Sequence, residues 1–356
     1  MYEETKLFVS GTQDYHTYRI PALAVSNKGT ILAFCEGRKN TGSDTGDIDI
    51  ALKRSFDNGQ TWEPMRIIVD DGPNVAGNPA PVVDRDTGVI WLLFCKNLSD
   101  GPERLIVSGE APRTVWLTNS HDDGTTWAEP EEITDDVKLP SWTWYATGPC
   151  HGIQLQSGRL VIPCDHVVGA SREYAKSGHS HVIYSDDHGE SWHIGGVAQP
   201  GTNESVIVQT VDGALYLNCR NYADAKWRAY AWSRDDGESF PEFGWDNTLV
   251  EPICQASMVR FTDAESHDKN RILFSNPAST KRERMTVRIS YDECRTWSTG
   301  KLLYEGTSAY SDLCIAPDMS ICCFYERTEA DSRRIIMFSQ FNLEWLTDGA
   351  DALNTG

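Results

Sequence analysis

The sequence predicts an all-β fold, a six-bladed β-propeller of four-stranded antiparallel blades. Three observations lead there: a recurring octapeptide, alternating apolar runs ahead of its copies, and no long helical periodicity. The octapeptide reads Ser55-Phe-Asp57-Asn-Gly59-Gln-Thr61-Trp62, then Ser120-His-Asp122-Asp-Gly124-Thr-Thr126-Trp127, then Ser185-Asp-Asp187-His-Gly189-Glu-Ser191-Trp192. Weaker copies are Ser233-Arg-Asp235-Asp-Gly237-Glu-Ser239-Phe240 and Ser290-Tyr-Asp292-Glu-Cys294-Arg-Thr296-Trp297. Their starts lie 65, 65, 48 and 57 residues apart, the span of a four-stranded blade, and dividing 356 residues by about 60 gives six blades.

Each part of the repeat has a mechanical reason. Ser and Asp hydrogen-bond to nearby backbone amides and close a tight turn. Gly supplies the positive φ such a turn needs. The Trp buries a large apolar surface between neighbouring units. Ile48-Asp-Ile50-Ala-Leu52 precedes the first copy and Ser180-His-Val182-Ile-Tyr184 the third, so each copy is a hairpin turn between strands. These turns are expected on the rim, away from any site, as scaffold. Residues 1–356 are expected to form a single domain with no linker and no appended module.

Composition narrows the function. With 40% hydrophobic and 24% charged residues the chain belongs among soluble globular proteins. A formal net charge of −20 argues against nucleic acid and against an anionic membrane surface as partners. An anionic ligand could bind only where arginines are gathered locally. No run approaches the ~18 apolar residues of a membrane-spanning helix. The opening Met1-Tyr-Glu-Glu-Thr-Lys-Leu-Phe-Val-Ser lacks the basic and apolar regions of a signal peptide. The expected compartment is therefore the cytoplasm as written, or a secreted or periplasmic one if a leader has been removed. The ten cysteines show no disulfide spacing. Cys35, Cys95, Cys322 and Cys323 sit inside apolar runs and read as buried free thiols, which leans towards a reducing compartment.

The repeat together with Tyr18-Arg19-Ile20-Pro21 resembles the sialidases, the bacterial and animal group of glycoside hydrolase family 33. The resemblance runs from about residue 7 to about residue 347. It implies an exo-α-sialidase that removes terminal sialic acid from glycoproteins, oligosaccharides or gangliosides with retention of configuration and no cofactor. Sialic acid carries a carboxylate on the carbon of the scissile bond, and arginines fork onto such a group. Sialidases use three. Arg19 matches the first, Arg220 in Leu217-Asn-Cys-Arg220-Asn-Tyr222 the second, and Arg282 in Ser279-Thr-Lys-Arg282-Glu-Arg284 the third, with Arg284 as its competitor.

The same carboxylate would repel an Asp or Glu nucleophile, whereas a neutral phenol avoids that repulsion if a base takes its proton. Tyr310 in Ser308-Ala-Tyr310-Ser311-Asp312 matches the nucleophile and Glu204 in Gly201-Thr-Asn-Glu204-Ser205 its base. Asp44, on a polar Gly-containing loop after Arg38, is the expected acid/base. Asp47 and Asp49 compete with it by composition. Asp47 begins the next strand, and Asp49, alternating with Ile48 and Ile50, points away from the packed face. Arg38 resembles an arginine that contacts the sugar ring, Asn78 in Asn78-Pro-Ala-Pro81 an asparagine that does the same, and Glu326 the carboxylate that holds Arg19. An alternative partner for Glu326 is Arg327.

Trp142-Thr-Trp144-Tyr145-Ala-Thr-Gly-Pro-Cys150-His151-Gly resembles a segment near the acyl and glycerol pockets, with Cys150 where the family more often has Gly. His179 and His181 share a strand face but lack a convergent third ligand, so they read as strand histidines rather than a metal pair. Three rivals stay open. A hydrolase of a related ulosonic acid, of the deaminated or octulosonic type, would keep every residue named. A trans-sialidase would need an acceptor platform. A non-catalytic repeat scaffold would lack some of these residues, and none is missing.

Overall fold

The computed structural model describes residues 1–223 and 226–353. The described chain forms twenty-four strands and four helices of four or five residues. The all-β expectation therefore holds. No helix among the described residues is long and apolar enough to cross a membrane.

The strands pair as antiparallel meanders in sequence order. The simplest runs Thr202–Gln209, Leu215–Asn221, Trp227–Ser233, Glu242–Val250. An eight-stranded sheet is two such meanders joined through a single parallel pair, Ile48 with Val75. A seven-stranded sheet is joined through the long strand Lys301–Ile315, whose first half pairs with Glu283–Ser290 and whose second half pairs with Ile321–Thr328. Its far edge is Tyr2–Val9 against Arg334–Phe341, so the chain's first strand closes the sheet begun by its last ones. Apolar side chains from neighbouring sheets interleave, as Val161, Val182, Ile207 and Leu217 do, and each such burial contributes roughly 1.5–3 kcal/mol. All ten cysteines are free and buried in these layers.

The five repeats adopt one turn. In the first, the Gly59 amide donates to Ser55 Oγ at 2.8 Å, and Thr61 donates to Asp57 through both its amide (2.8 Å) and its hydroxyl (2.5 Å). The same bonds recur in the copy at 290, where the Cys294 amide replaces that of Gly. Two successive residues take positive φ, 59° and 89° at Asn58 and Gly59, 59° and 66° at Glu293 and Cys294. Trp62 then packs edge-on against Phe338 of another strand, with ring centroids 4.9 Å apart.

Gly59 is needed twice over, since a Cβ there would fall 2.5 Å from Phe338 Cε1. Gly59→Ala should therefore lower stability by at least about 2 kcal/mol, from left-handed strain plus overpacking. Gly213→Ala, at φ +85° with nothing within 4 Å, should lose only the strain, about 1 kcal/mol. Urea midpoints of the two variants check the difference, and equal midpoints would remove the packing role.

At the centre, Asp312 joins strands distant in sequence. Its Oδ1 accepts from His151 Nδ1 (2.8 Å), Ser257 Oγ (2.7 Å) and the Leu313 amide (2.9 Å), and its Oδ2 accepts from the Leu23 amide at 2.7 Å.

Candidate active site

Four strands break register beside side chains that line a common pocket. The shifts lie between Arg19 and Ala22, Gly77 and Ala80, Thr202 and Ser205, and Ser308 and Ser311. A bulge re-aims a side chain without ending its sheet. Ile20 and Asn78 sit at these breaks with φ of 60° and 57°.

Tyr310 and Glu204 meet at the base of the pocket. The buried phenol donates to Glu204 Oε1. Arg220 Nη1 donates to Glu204 Oε2 at 2.7 Å and to the phenol oxygen at 3.1 Å. Burial pushes the Tyr310 pKa well up and the Glu204 charge adds to this, while Arg220 and Arg19 oppose it. The phenol therefore stands protonated at neutral pH, with its proton already directed at a carboxylate.

Arg19 and Arg282 lie beside the same ring, their guanidinium carbons 5.1 and 5.7 Å from its centroid. Glu326 grips Arg19 side-on, with bonds of 3.1 and 3.3 Å, and also accepts the Ile20 amide at 2.8 Å. Arg327 instead pairs with Glu4 and Glu329. Arg282 lines the pocket and donates to the Ile253 carbonyl at 3.2 Å, whereas Arg284 pairs with exposed Glu305. Of the two sequence candidates, Arg282 thus lines the pocket and Arg284 does not.

Asp44 is 77% exposed on its loop and bridges Arg38 (2.6 Å) and Arg19 (3.2 Å). Partial desolvation by the surrounding pocket works to raise its pKa, but Arg38 and Arg19 outweigh it and the net shift is downward. Arg38 is itself held by Glu36 at 2.6 Å. Asp47 and Asp49 are turned away from the pocket onto Lys39, at 2.9 and 3.0 Å. Asp49 needs a correction. It leaves the apolar face as alternation predicts, yet it is fully buried, accepting from Tyr15 Oη at 2.5 Å, because Tyr15 on the turn between the first two strands and Lys39 cover that side.

The far wall of the pocket was not read from the sequence. Arg113 donates to the Asn78 side chain, the Asn97 side chain (2.5 Å) and the Tyr145 carbonyl, with Trp144 stacked 4.3 Å from its guanidinium carbon. Asn78 lines the pocket with its side-chain oxygen occupied in this way. Asp165 is fully buried and accepts from Asn203 at 2.6 Å, and burial raises its pKa well above the carboxylate range. A charge inside the apolar run Val161-Ile-Pro-Cys-Asp165 is the signal that could have flagged it. Tyr222 accepts from Arg220 at 3.1 Å and stacks near Tyr174, which in turn donates to Glu103.

In the Trp142–Gly152 segment, Trp144 and Ala146 line the pocket, while Cys150 turns inward with φ 138° and its thiol faces the Ser205 carbonyl at 3.8 Å. The Gly-to-Cys departure therefore lies outside the pocket wall. His181 is buried against His166 (3.0 Å), and burial lowers its pKa to about 3. His179 bonds the Ala198 carbonyl at 3.0 Å. Asp84, Asp86 and His188 lie within ligand distance of one another. Asp84 already accepts from Asp86, Gln154, Thr87 and His188, a closed set that staples a hairpin.

Comparison with known proteins places the chain among relatives of one kind. Residues 29–323 match the model of the BNR repeat-like domain. An exo-alpha-sialidase of Aspergillus fumigatus is 34% identical, over 94% of this chain and 86% of its own. Sialidase-3 of Mus musculus is 30% identical, over 94% of this chain and 93% of its own. The solved structure of the Hadza microbial sialidase Hz136 superposes with a TM-score of 0.85 at 32% identity, covering 96% of this chain and 69% of that one.

Proposed function

The chain belongs to the sialidases, glycoside hydrolases with a β-propeller-like fold, and on that premise we propose that it is a retaining exo-α-sialidase working through a covalent tyrosyl-sialyl intermediate. The observation that carries this reading is the Tyr310 phenol, hydrogen-bonded to Glu204 beside three guanidiniums from segments far apart in sequence. We read the meanders as six blades of one domain spanning 1–356, a count supported by dividing the two larger sheets at Ile48/Val75 and at Lys301–Ile315.

In the proposed reaction Arg19, Arg220 and Arg282 receive the substrate's carboxylate. The carboxylate competes with Asp44 for Arg19, so Asp44 loses part of its cationic surroundings and its pKa climbs back towards that of an acid. Protonated Asp44 then gives its proton to the glycosidic oxygen as the C2–O bond breaks. The Tyr310 oxygen bonds to C2, and the phenol proton passes to Glu204. In the second step Asp44 takes a proton from water, the water oxygen bonds to C2, and the phenolate leaves and recovers its proton from Glu204. Two inversions give retention. Arg38 and Asn78 border the sugar away from the carboxylate.

Proton NMR of α2,3-sialyllactose with the protein tests this. Free sialic acid should appear first as the α-anomer and only later mutarotate. If the β-anomer came first, the tyrosyl intermediate would be refuted, and if no sialic acid were released the reading as a whole would fail. A parallel arm with the deaminated sugar reads the ulosonic-acid alternative.

A further inference from the structure

We propose that a second pocket beside the first is an aglycone subsite for an anionic group, the carboxylate of a penultimate acidic sugar, and that α2,8-linked sialyl-sialosides are therefore this protein's favoured substrates. The proposal rests on the sialidase reading above and adds the substrate class.

A cavity of about 210 Å³ shares Arg19 and Arg282 with the main pocket, and Ser308, Glu326, Arg327 and Arg334 are among its other lining residues. Its position follows the leaving group. The aglycone is attached to the carbon that bears the carboxylate, so it must emerge beside the carboxylate-binding arginines and under the acid. Arg334 reaches that place, since its Nη1 lies 3.2 Å from where a Cβ on Gly42 would stand, two residues before Asp44.

The charges in this cavity are unevenly matched. Arg19 is balanced by Glu326 and Asp44, and Arg327 by Glu4 and Glu329. The exposed Arg334 guanidinium has no hydrogen bond or ion pair among the described residues, and Arg282 has only the Ile253 carbonyl. In a chain with 52 acidic and 32 basic residues, a cation left unmatched beside a pocket sets up a local positive potential that attracts an anion.

A second observation comes from Ser308. The residue borders this cavity and is 1% exposed, and its buried hydroxyl has no partner among the described residues. Its amide donates to the Arg282 carbonyl at 3.0 Å, which fixes both residues on one wall. A buried hydroxyl without a partner is costly unless a ligand completes it. Guanidinium and hydroxyl donors around a small cavity suit an oxyanion. A neutral galactose at this position would leave Arg334 unmatched, whereas a second sialic acid supplies a carboxylate next to the scissile bond.

The experiment compares kcat/KM for an α2,8-linked disialoside, α2,3-sialyllactose and a 6-sulfated α2,3-sialyllactoside in the wild type, Arg334→Ala and Ser308→Ala. The disialoside is expected to be the best wild-type substrate. Arg334→Ala should lower its advantage over sialyllactose about tenfold, the loss of one charged hydrogen bond, and Ser308→Ala about threefold. An unchanged ratio in Arg334→Ala, or a parallel fall on all three substrates, overturns the subsite while leaving the sialidase reading standing. An Arg334-dependent gain confined to the sulfated substrate overturns the carboxylate assignment. Absence of turnover on every sialoside overturns both readings.

Discussion

Replacing Tyr310 with Phe is expected to cut sialoside turnover on the order of 10³-fold or more with the fold preserved, because the change removes only the attacking oxygen. The ring would keep its contacts with Ile20 and Cys254, and Glu204 would keep Arg220 at 2.7 Å, so only one buried donor is lost. Such a loss costs about 1 kcal/mol of stability, a small thermal shift. The electrostatics explain why nothing nearby can substitute. Glu204 is held by Arg220 and would present a second negative charge to the substrate's carboxylate. Asp44 lies across the pocket on the leaving-group side, bound to Arg38. A fluorinated sialyl inactivator gives a direct readout. It should add one sialyl mass to the wild type, on the peptide containing Tyr310, and none to Tyr310→Phe. A label on Glu204 or Asp44, or turnover in the variant near that of the wild type, would remove Tyr310 from the mechanism.

The residues legible in the sequence were those whose neighbours form a short signature. Arg19, Glu204, Arg220, Arg282, Tyr310 and Glu326 sit in motifs readable one segment at a time, and the structure brings the first five into one pocket with Glu326 holding Arg19 from outside it. The repeat was legible for the same reason, since its hydrogen bonds close within eight residues. The far wall was not, because its bonds run between strands well separated in sequence. Arg113 ties Asn78, Asn97 and Tyr145 together, and no spacing along the chain encodes that.

Asp49 illustrates another limit. Alternation says which face a side chain takes, and it cannot say that Tyr15 and Lys39 will cover that face. Cys150 illustrates a third. The segment resemblance located the chain beside the pocket, but the φ of 138° at that residue sends its side chain to the opposite side. The bulges that aim Arg19, Asn78, Glu204 and Tyr310 also have no marker in the apolar pattern, although they are what converts strands into a site.

Removing the Asp312 carboxylate should produce the largest loss of stability of any single change considered, about 3–5 kcal/mol for Asp312→Ala, because it strands a buried partner. Asp312 is fully buried and accepts from His151, Ser257, Leu313 and Leu23, which joins strands at the two ends of the sequence to the middle of the chain. Burial alone works to lower the His151 pKa, but the Asp312 charge, its hydrogen bond and a backbone bond at Met258 outweigh it, and the net shift is upward. A raised histidine pKa stabilises the fold fully below the unfolded value of about 6.5, and that contribution fades as pH rises through the folded value. The wild type should therefore lose part of its stability between mildly acidic and alkaline pH, whereas Asp312→Asn, which keeps an acceptor but no charge, should lose this component of the slope. Urea midpoints for both proteins across that range check it. A wild-type-minus-variant difference independent of pH would mean that His151 is uncharged and that Asp312 acts only as a hydrogen-bond hub. Because Asp312 follows Tyr310 by two residues on the same strand, loosening this hub should also widen the phenol's approach to Glu204, so the conservative variant is expected to lose activity before it loses its fold.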